Sequence, residues 1–144
     1  MEDRVIRGII QDQELLTCSP ATSIIEAGQT MKRHNIGALV VVDNGKLAGI
    51  FTERDALFRV VAEGRDTQNT RVADVMTRKP KTIHPDRPFR EALHIMHEGG
   101  FRHVPVVEND SAIGMISARD ALGSELEDFV YEMLRDEQVR DVLA

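Results

Sequence analysis

The feature that most constrains this chain is an internal repeat. Residues 17–57 lie over residues 82–122 without a gap, at a shift of 65 positions, and thirteen pairs are identical. They run from Thr17/Thr82 and Pro20/Pro85, through Glu26/Glu91 and Met31/Met96, to a shared Arg-Asp-Ala-Leu at 54–57 and 119–122. Other pairs are conservative, among them Leu39/Val104, Asp43/Glu108 and Thr52/Ser117. Self-similarity at a fixed period means one supersecondary unit built twice. A unit of about 60 residues buries too little surface to stand comfortably alone. The two copies are therefore expected to pack into one globule related by a pseudo-twofold axis.

Each copy reads as β-α-β-β-α. A short strand comes first, at Leu15–Cys18 and at Lys81–Ile83. A helix follows, with Ile24, Ala27, Gly28 and Met31 in copy one at i, i+3, i+4 and i+7, and Phe89, Ala92, Leu93 and Met96 in copy two. Ser23-x-x-Glu26 reads as a capping box and Pro88 suits a first helical turn. Two strands joined by a tight turn come next, Leu39–Val42 with Leu47–Phe51 and Val104–Val107 with Ile113–Ile116. Asn44-Gly45 is a strong hairpin signal and Asn109-Asp110 its weaker counterpart. A second helix starts at Thr52 and at Ser117. The expected fold is thus α/β (α+β), each copy a small three-stranded mixed sheet with two helices.

The polar segment 65–71 reads as a linker between repeat one, 6–64, and repeat two, 72–123. Val5, Ile6, Ile9 and Ile10 form an apolar stripe ahead of copy one, matched by Val72, Val75 and Met76 ahead of copy two. At the C-terminus, 124–144 reads as a helix capped by Ser124-x-x-Glu127, with Leu126, Phe129, Val130, Met133 and Leu134 as its apolar set and Val139, Val142 and Leu143 beyond. That set is large for a tail and suggests docking on the body or on a second subunit.

Composition narrows the function classes. The chain has 144 residues, 42% hydrophobic and 29% charged, with one Tyr, five Phe and no Trp, so its core must be aliphatic. A net charge of −6 argues against a general nucleic-acid surface, which needs clustered Lys and Arg. The single cysteine, Cys18, cannot form an intrachain disulfide and fits a reducing compartment. No secretory signal and no stretch of about 20 apolar residues is present, so the expectation is a cytoplasmic protein with no membrane span.

The informative motif is Gly49-Ile50-Phe51-Thr52-Glu53-Arg54-Asp55, repeated as Gly114-Met115-Ile116-Ser117-Ala118-Arg119-Asp120. Two readings fit it. In one, the hydroxyl caps a helix and the Asp three residues later favours its positive end. In the other, the same N–H groups and hydroxyl bind phosphate, the Arg adds a charge-assisted fork, and the Asp accepts a ribose diol. Repetition of the Arg favours the second, because capping alone does not require it.

The element order, the Gly-h-h-[Ser/Thr]-x-x-Asp ending (h apolar) and the phrase Arg102-His103-Val104-Pro105-Val106-Val107 resemble the CBS domain, here a tandem pair or Bateman module over roughly Ile6 to Leu122. The resemblance implies a stand-alone regulatory protein with ligand sites between the repeats, for AMP, ADP or ATP, with NAD or S-adenosylmethionine as alternatives. It implies that Asp55 and Asp120 hold ribose diols and that Thr52, Arg54, Ser117 and Arg119 face phosphate. Thr17, Cys18, Thr82 and Ile83 would meet the adenine along the first strands. Residues 36–39 and 101–104, among them Gly37, Ala38, Arg102, His103 and Val104 with its neighbour Pro105, would border the base. Copy two has Arg102-His103 where copy one has Gly37-Ala38, so two unequal sites are expected. The family also implies a homodimer and an unidentified protein target.

Other residues fit bland roles. His94 and His97 have a spacing that metal sites use, but no Cys or third His joins them at ligand spacing, and no metal site is expected. His84 reads as a turn residue. Cys18 reads as a small buried apolar residue without a base to activate it. No P-loop, metal cluster or nucleophile–base pair points to an enzyme, so no catalytic residue or catalytic cofactor is expected. An enzyme acting on a nucleotide and a ligand-free adaptor remain the competing classes.

Overall fold

The computed structural model describes residues 3–143, except the side chains of residues 138–141 and 143. The expected apolar positions Val139 and Leu143 lie outside the described side chains. In chain order the elements are α1 (Ile6–Ile10), β1 (Thr17–Cys18), α2 (Ile24–His34), β2 (Ala38–Asp43), β3 (Lys46–Thr52) and α3 (Glu53–Asp55), which runs on as a π-helical stretch, Ala56–Val61. Copy two follows with α4 (Val72–Val75), β4 (Thr77–Arg78), α5 (Phe89–Gly99), β5 (His103–Glu108), β6 (Ser111–Ser117), a 3₁₀ turn at Ala118–Asp120, and α6 (Gly123–Leu143).

The duplication extends to backbone detail. Asn44 and Gly45 have φ of 51° and 78°, and Asn109 and Asp110 have 53° and 66°, so both hairpins close through two left-handed residues. Both hairpins also shift register at the same point, between Val41 and Val42 and between Val106 and Val107. On α2, Ser23 Oγ accepts from Glu26 N at 3.3 Å, so its cap is as expected. Pro88 takes the N-cap position of α5 instead of the first helical turn, with an extended ψ of 148°.

The sheets differ from three strands per copy. Copy one has four, in the order β1-β2-β3-β4, because β4 crosses over to pair with β3. Copy two has the β5-β6 hairpin, and its expected first strand shrinks to one parallel bridge between Ile83 and Val106. The second helix of copy two is likewise only one turn. Ala121 is extended, with ψ 134°, and α6 then begins at Gly123. Ser124 therefore sits inside the first turn instead of capping it. The Glu125 carboxylate takes the cap role and accepts from Leu122 N at 2.8 Å.

The short leading helices pack on the opposite copies. Ile6 and Ile10 of α1 share a buried cluster with Phe89, Leu93, Val104 and Ile116 of copy two. Val72, Val75 and Met76 share the other with Met31, Leu39, Val41 and Phe51 of copy one. This exchange explains the duplicated glycine of the motif. A Cβ on Gly49 would stand 2.6 Å from the Thr77 carbonyl, and one on Gly114 would stand 2.8 Å from Ile10 Cδ1. Glycine lets each leading segment lie against the sheet. Gln13 continues the arm of copy one along β6, where its side-chain amide donates to Met115 O and accepts from Met115 N, both at 2.8 Å. The polar linker is itself ordered: the Thr70 and Thr67 carbonyls accept from Ile24 N and Ile25 N.

Candidate functional site

A cleft of about 940 Å³ opens between the copies. One wall comes from copy one: Leu15 and Leu16 before β1, Gly28, Met31 and Lys32 on α2, and Ile36, Gly37 and Ala38 at the start of β2. The other comes from copy two: Arg102 and His103 at the start of β5 and Ser117, Ala118, Arg119 and Asp120 after β6. The size falls within the range of small-molecule sites.

Each helix start is tied to the strand start of its own copy. Glu53 N donates to Gly37 O at 3.0 Å and Ala118 N to Arg102 O at 3.1 Å. Each motif Asp closes back on its hydroxyl residue. Thr52 N donates to Asp55 Oδ2 at 3.0 Å, and Asp55 N to Thr52 Oγ1 at 3.2 Å. In copy two Ser117 N donates to Asp120 Oδ2 at 2.7 Å. The capping reading is thus real in both copies. It does not exclude the other, because the Asp120 cap uses one carboxylate oxygen while the residue stays half-buried on the cleft wall.

Of the residues singled out in the sequence, Gly37, Ala38, Arg102, His103, Ser117, Arg119 and Asp120 line this cleft together. Thr17, Cys18, Thr52, Arg54, Asp55, Thr82, Ile83, Val104 and Pro105 are not on its walls. Ile83 and Val104 belong to the core of copy two, and Asp55 is buried under its cap. Arg54 reaches toward copy two, where Nη1 donates to Gly100 O at 3.4 Å and the guanidinium lies 5.3 Å over the Phe58 ring.

The sequence reading missed Glu53 and Lys32, which bring a carboxylate and an ammonium to the cleft. Glu53 carried a usable signal, since Ala118 occupies its place in copy two. It stands near Gly37 and His103: a Cβ on Gly37 would be 3.2 Å from Glu53 Oε1 and 3.4 Å from His103 Cε1. His103 is held below the ordinary imidazole value, first by burial. The Glu53 and Asp120 carboxylates oppose that shift, while Arg102 and Arg119 add to it. The neutral ring therefore dominates near neutral pH, with a donor and an acceptor to offer.

The residues set aside in the sequence also have observed places. His94 and His97 stand edge-on to the Phe129 ring of α6, at 5.0 and 5.7 Å. Burial pushes the Cys18 thiol up to about 11, far from a reactive thiolate. Among the described residues His84, Asp86 and Glu108 come together. Arg7 already supplies their counter-charge, donating to Asp86 Oδ1 at 2.8 Å and Glu108 Oε2 at 2.6 Å. Among the described residues no helix is long and apolar enough to cross a membrane.

The chain is similar in sequence and fold to known proteins. The CBS domain family model matches residues 4–62 and again 72–127. The CBS domain-containing protein CBSX3, mitochondrial, of Arabidopsis thaliana is 35% identical over 134 residues, 90% of this chain. The chain spans 65% of that relative, less than two thirds of its length. The CBS domain pair of protein MJ0100, solved in complex with 5′-methylthioadenosine and S-adenosyl-L-methionine, superposes with a TM-score of 0.74 at 29% identity, over 83% of this chain and 93% of that one. The CBS domain protein PAE2072 from Pyrobaculum aerophilum, complexed with AMP, shares the fold with a TM-score of 0.79 at 20% identity, over 89% of this chain and 99% of that one.

Proposed function

The chain belongs to the CBS domain family, of which it carries two copies, and we propose that it is a regulatory module that binds AMP, ADP or ATP in the cleft between them. The observation that carries this reading is the meeting of two walls. Small residues of copy one, Gly37 and Ala38, face the helix start Ser117–Asp120 of copy two, with Arg102 and Arg119 on the same cleft. The small wall leaves room for a planar base. The hydroxyl and the two guanidinium groups suit phosphate, and the Asp120 carboxylate suits a diol. The adenosyl ligands of MJ0100 support the nucleoside part of the reading.

Ligand bridging the two copies would bias their relative packing and pass that bias to a partner protein, since a ligand shifts an equilibrium only through differential contacts with its states. The module regulates and does not catalyse; its one thiol is protonated and deactivated. That free thiol suits a reducing compartment such as the cytoplasm. A homodimer is the proposed assembly, through the apolar face of α6.

The test is a thermal-shift panel of AMP, ADP, ATP, NAD and S-adenosylmethionine. A ligand at 100 times its Kd that binds only the folded state stabilises it by about 2.7 kcal/mol. Asp120→Ala should abolish the shift of the best compound. No shift from any compound sinks the reading in favour of a ligand-free adaptor. Turnover of a nucleotide sinks the regulatory reading in favour of an enzyme.

A second reading takes an adenosyl sulfur compound as ligand. MJ0100 favours it, as does the Glu53 carboxylate beside the cleft, which suits a sulfonium better than a phosphate. Arg119→Ala separates the two: it should weaken a nucleotide at least tenfold and leave S-adenosylmethionine unchanged.

A further inference from the structure

We propose that ligand enters only one of the two pseudo-equivalent clefts, the one ending in Asp120, because the chain's own side chains fill the other. The inference rests on the adenosyl reading above and adds a stoichiometry to it.

The repeat shift maps each wall residue of the open cleft onto its counterpart. On the strand and first-helix side, small residues become large ones. Gly28 maps to Leu93, Ile36 to Phe101, Gly37 to Arg102 and Ala38 to His103. Leu93 is buried in the core of copy two and Phe101 packs against that core. The Phe101 ring lies where a Cβ on Gly99 would stand. The space that Gly28 leaves open in copy one is therefore occupied by Leu93 in copy two, with Phe101 packed beside it, whereas Arg102 and His103 line the open cleft itself.

The helix-start side of the second cleft is also engaged. Arg119 lines the open cleft, and its counterpart Arg54 instead donates to the carbonyl of Gly100. Gly100 is the counterpart of Asn35, which lines the open cleft. Arg54 thus spans from the helix start of copy one to the rim of copy two, the gap a ligand would bridge. Asp55 is only 8% exposed, with Thr52 N on one carboxylate oxygen and Arg59 Nε 3.6 Å from the other. The faithful copying of Thr-x-Arg-Asp preserves a cap and a strap at this position, and a binding site only at the other.

The experiment is isothermal titration of the full chain with AMP, ADP, ATP and S-adenosylmethionine in separate runs. One site per chain is expected for the compound that binds. Asp120→Ala should weaken it more than tenfold, whereas Arg54→Ala and Asp55→Ala should leave stoichiometry unchanged and affinity within about twofold. Should Asp55→Ala lose its fold with its cap, Arg54→Ala decides alone, because Arg54 is exposed and caps nothing. Two sites per chain, or a tenfold loss in Arg54→Ala, overturns the inference and leaves the adenosyl reading standing. If wild type binds none of the four compounds, the adenosyl reading fails, and this inference fails with it.

Discussion

Arg4 and Glu125 lie 121 positions apart and meet as a two-pronged ion pair, Nη2 to Oε1 at 2.6 Å and Nε to Oε2 at 3.1 Å. Arg4 Nη2 also donates to the Asp120 carbonyl at 2.7 Å. One side chain thus ties the segment before α1 to the start of α6 and to the backbone of the proposed diol-binding residue. The pair is partly exposed, so its coupling is expected to be about 1 kcal/mol in a double-mutant cycle of Arg4→Met and Glu125→Gln, read by urea melts. The hydrogen bond from Arg4 holds Glu125 below the ordinary glutamate value. A lowered acid contributes stability that is complete above its unfolded value of about 4.3 and is lost as pH falls through the folded one. Glu125→Gln should therefore flatten the acid side of the stability curve below pH of about 4.

His103 acts in the same direction at higher pH. Its folded value is depressed, first by burial, so between that value and the unfolded one of about 6.5 the unfolded chain binds more protons. Stability should be complete above about 6.5 and fall as pH drops through that window. His103→Gln should remove that part of the slope. A phosphate bound between Arg102 and Arg119 should raise the His103 value, visible by NMR as a shift of its imidazole titration to higher pH. An unchanged titration at saturating nucleotide would place the phosphate elsewhere.

The two motif glycines should differ in tolerance. Gly49→Ala drives a methyl to 2.6 Å from a backbone oxygen, whereas Gly114→Ala meets only side-chain atoms of Ile10, Cδ1, Cγ2 and Cβ at 2.8–3.0 Å. Backbone cannot step aside and a side chain can, so Gly49→Ala should be the more damaging, with a loss of about 1–3 kcal/mol against a smaller one at 114. Chemical denaturation of both variants measures the difference.

Assembly is testable on α6. Leu126, Val130 and Leu134, spaced by four, are 42%, 52% and 53% exposed. If this stripe joins two copies, Leu126→Glu with Val130→Glu should convert a dimer to a monomer by light scattering without lowering the melting temperature of a dilute sample. A wild-type chain that is monomeric at high micromolar concentration rules the homodimer out.

Much of this was legible in the sequence, and the limits are physical. The hairpins could be read because Asn-Gly and Asn-Asp demand positive φ locally, and α2 because Ser23 caps it within three residues. The repeat makes Gly37-Ala38 and Arg102-His103 equivalent, and the resemblance to the CBS domain is what implies their place on a shared cleft. The crossing of the leading helices could not be read. Ile6 and Val72 are apolar in either arrangement, and only long-range packing selects the partner. Gln13 was invisible for the same reason. The shortened second helix of copy two was missed because Ala121-Leu122 repeats Ala56-Leu57, so local sequence alone does not stop it.

The crossing of α1 and α4 separates the unit of duplication from the unit of folding. What was copied is a contiguous stretch of chain, but what buries a core is that stretch plus a helix borrowed from its twin. Cutting the chain within 65–71 therefore yields two pieces that each carry the other's missing wedge, with Ile6 and Ile10 on one fragment and the groove for them on the other. Neither half is a smaller version of the whole. Mixing the two fragments should restore what neither holds alone, and that makes the chain a natural candidate for a split-protein reporter.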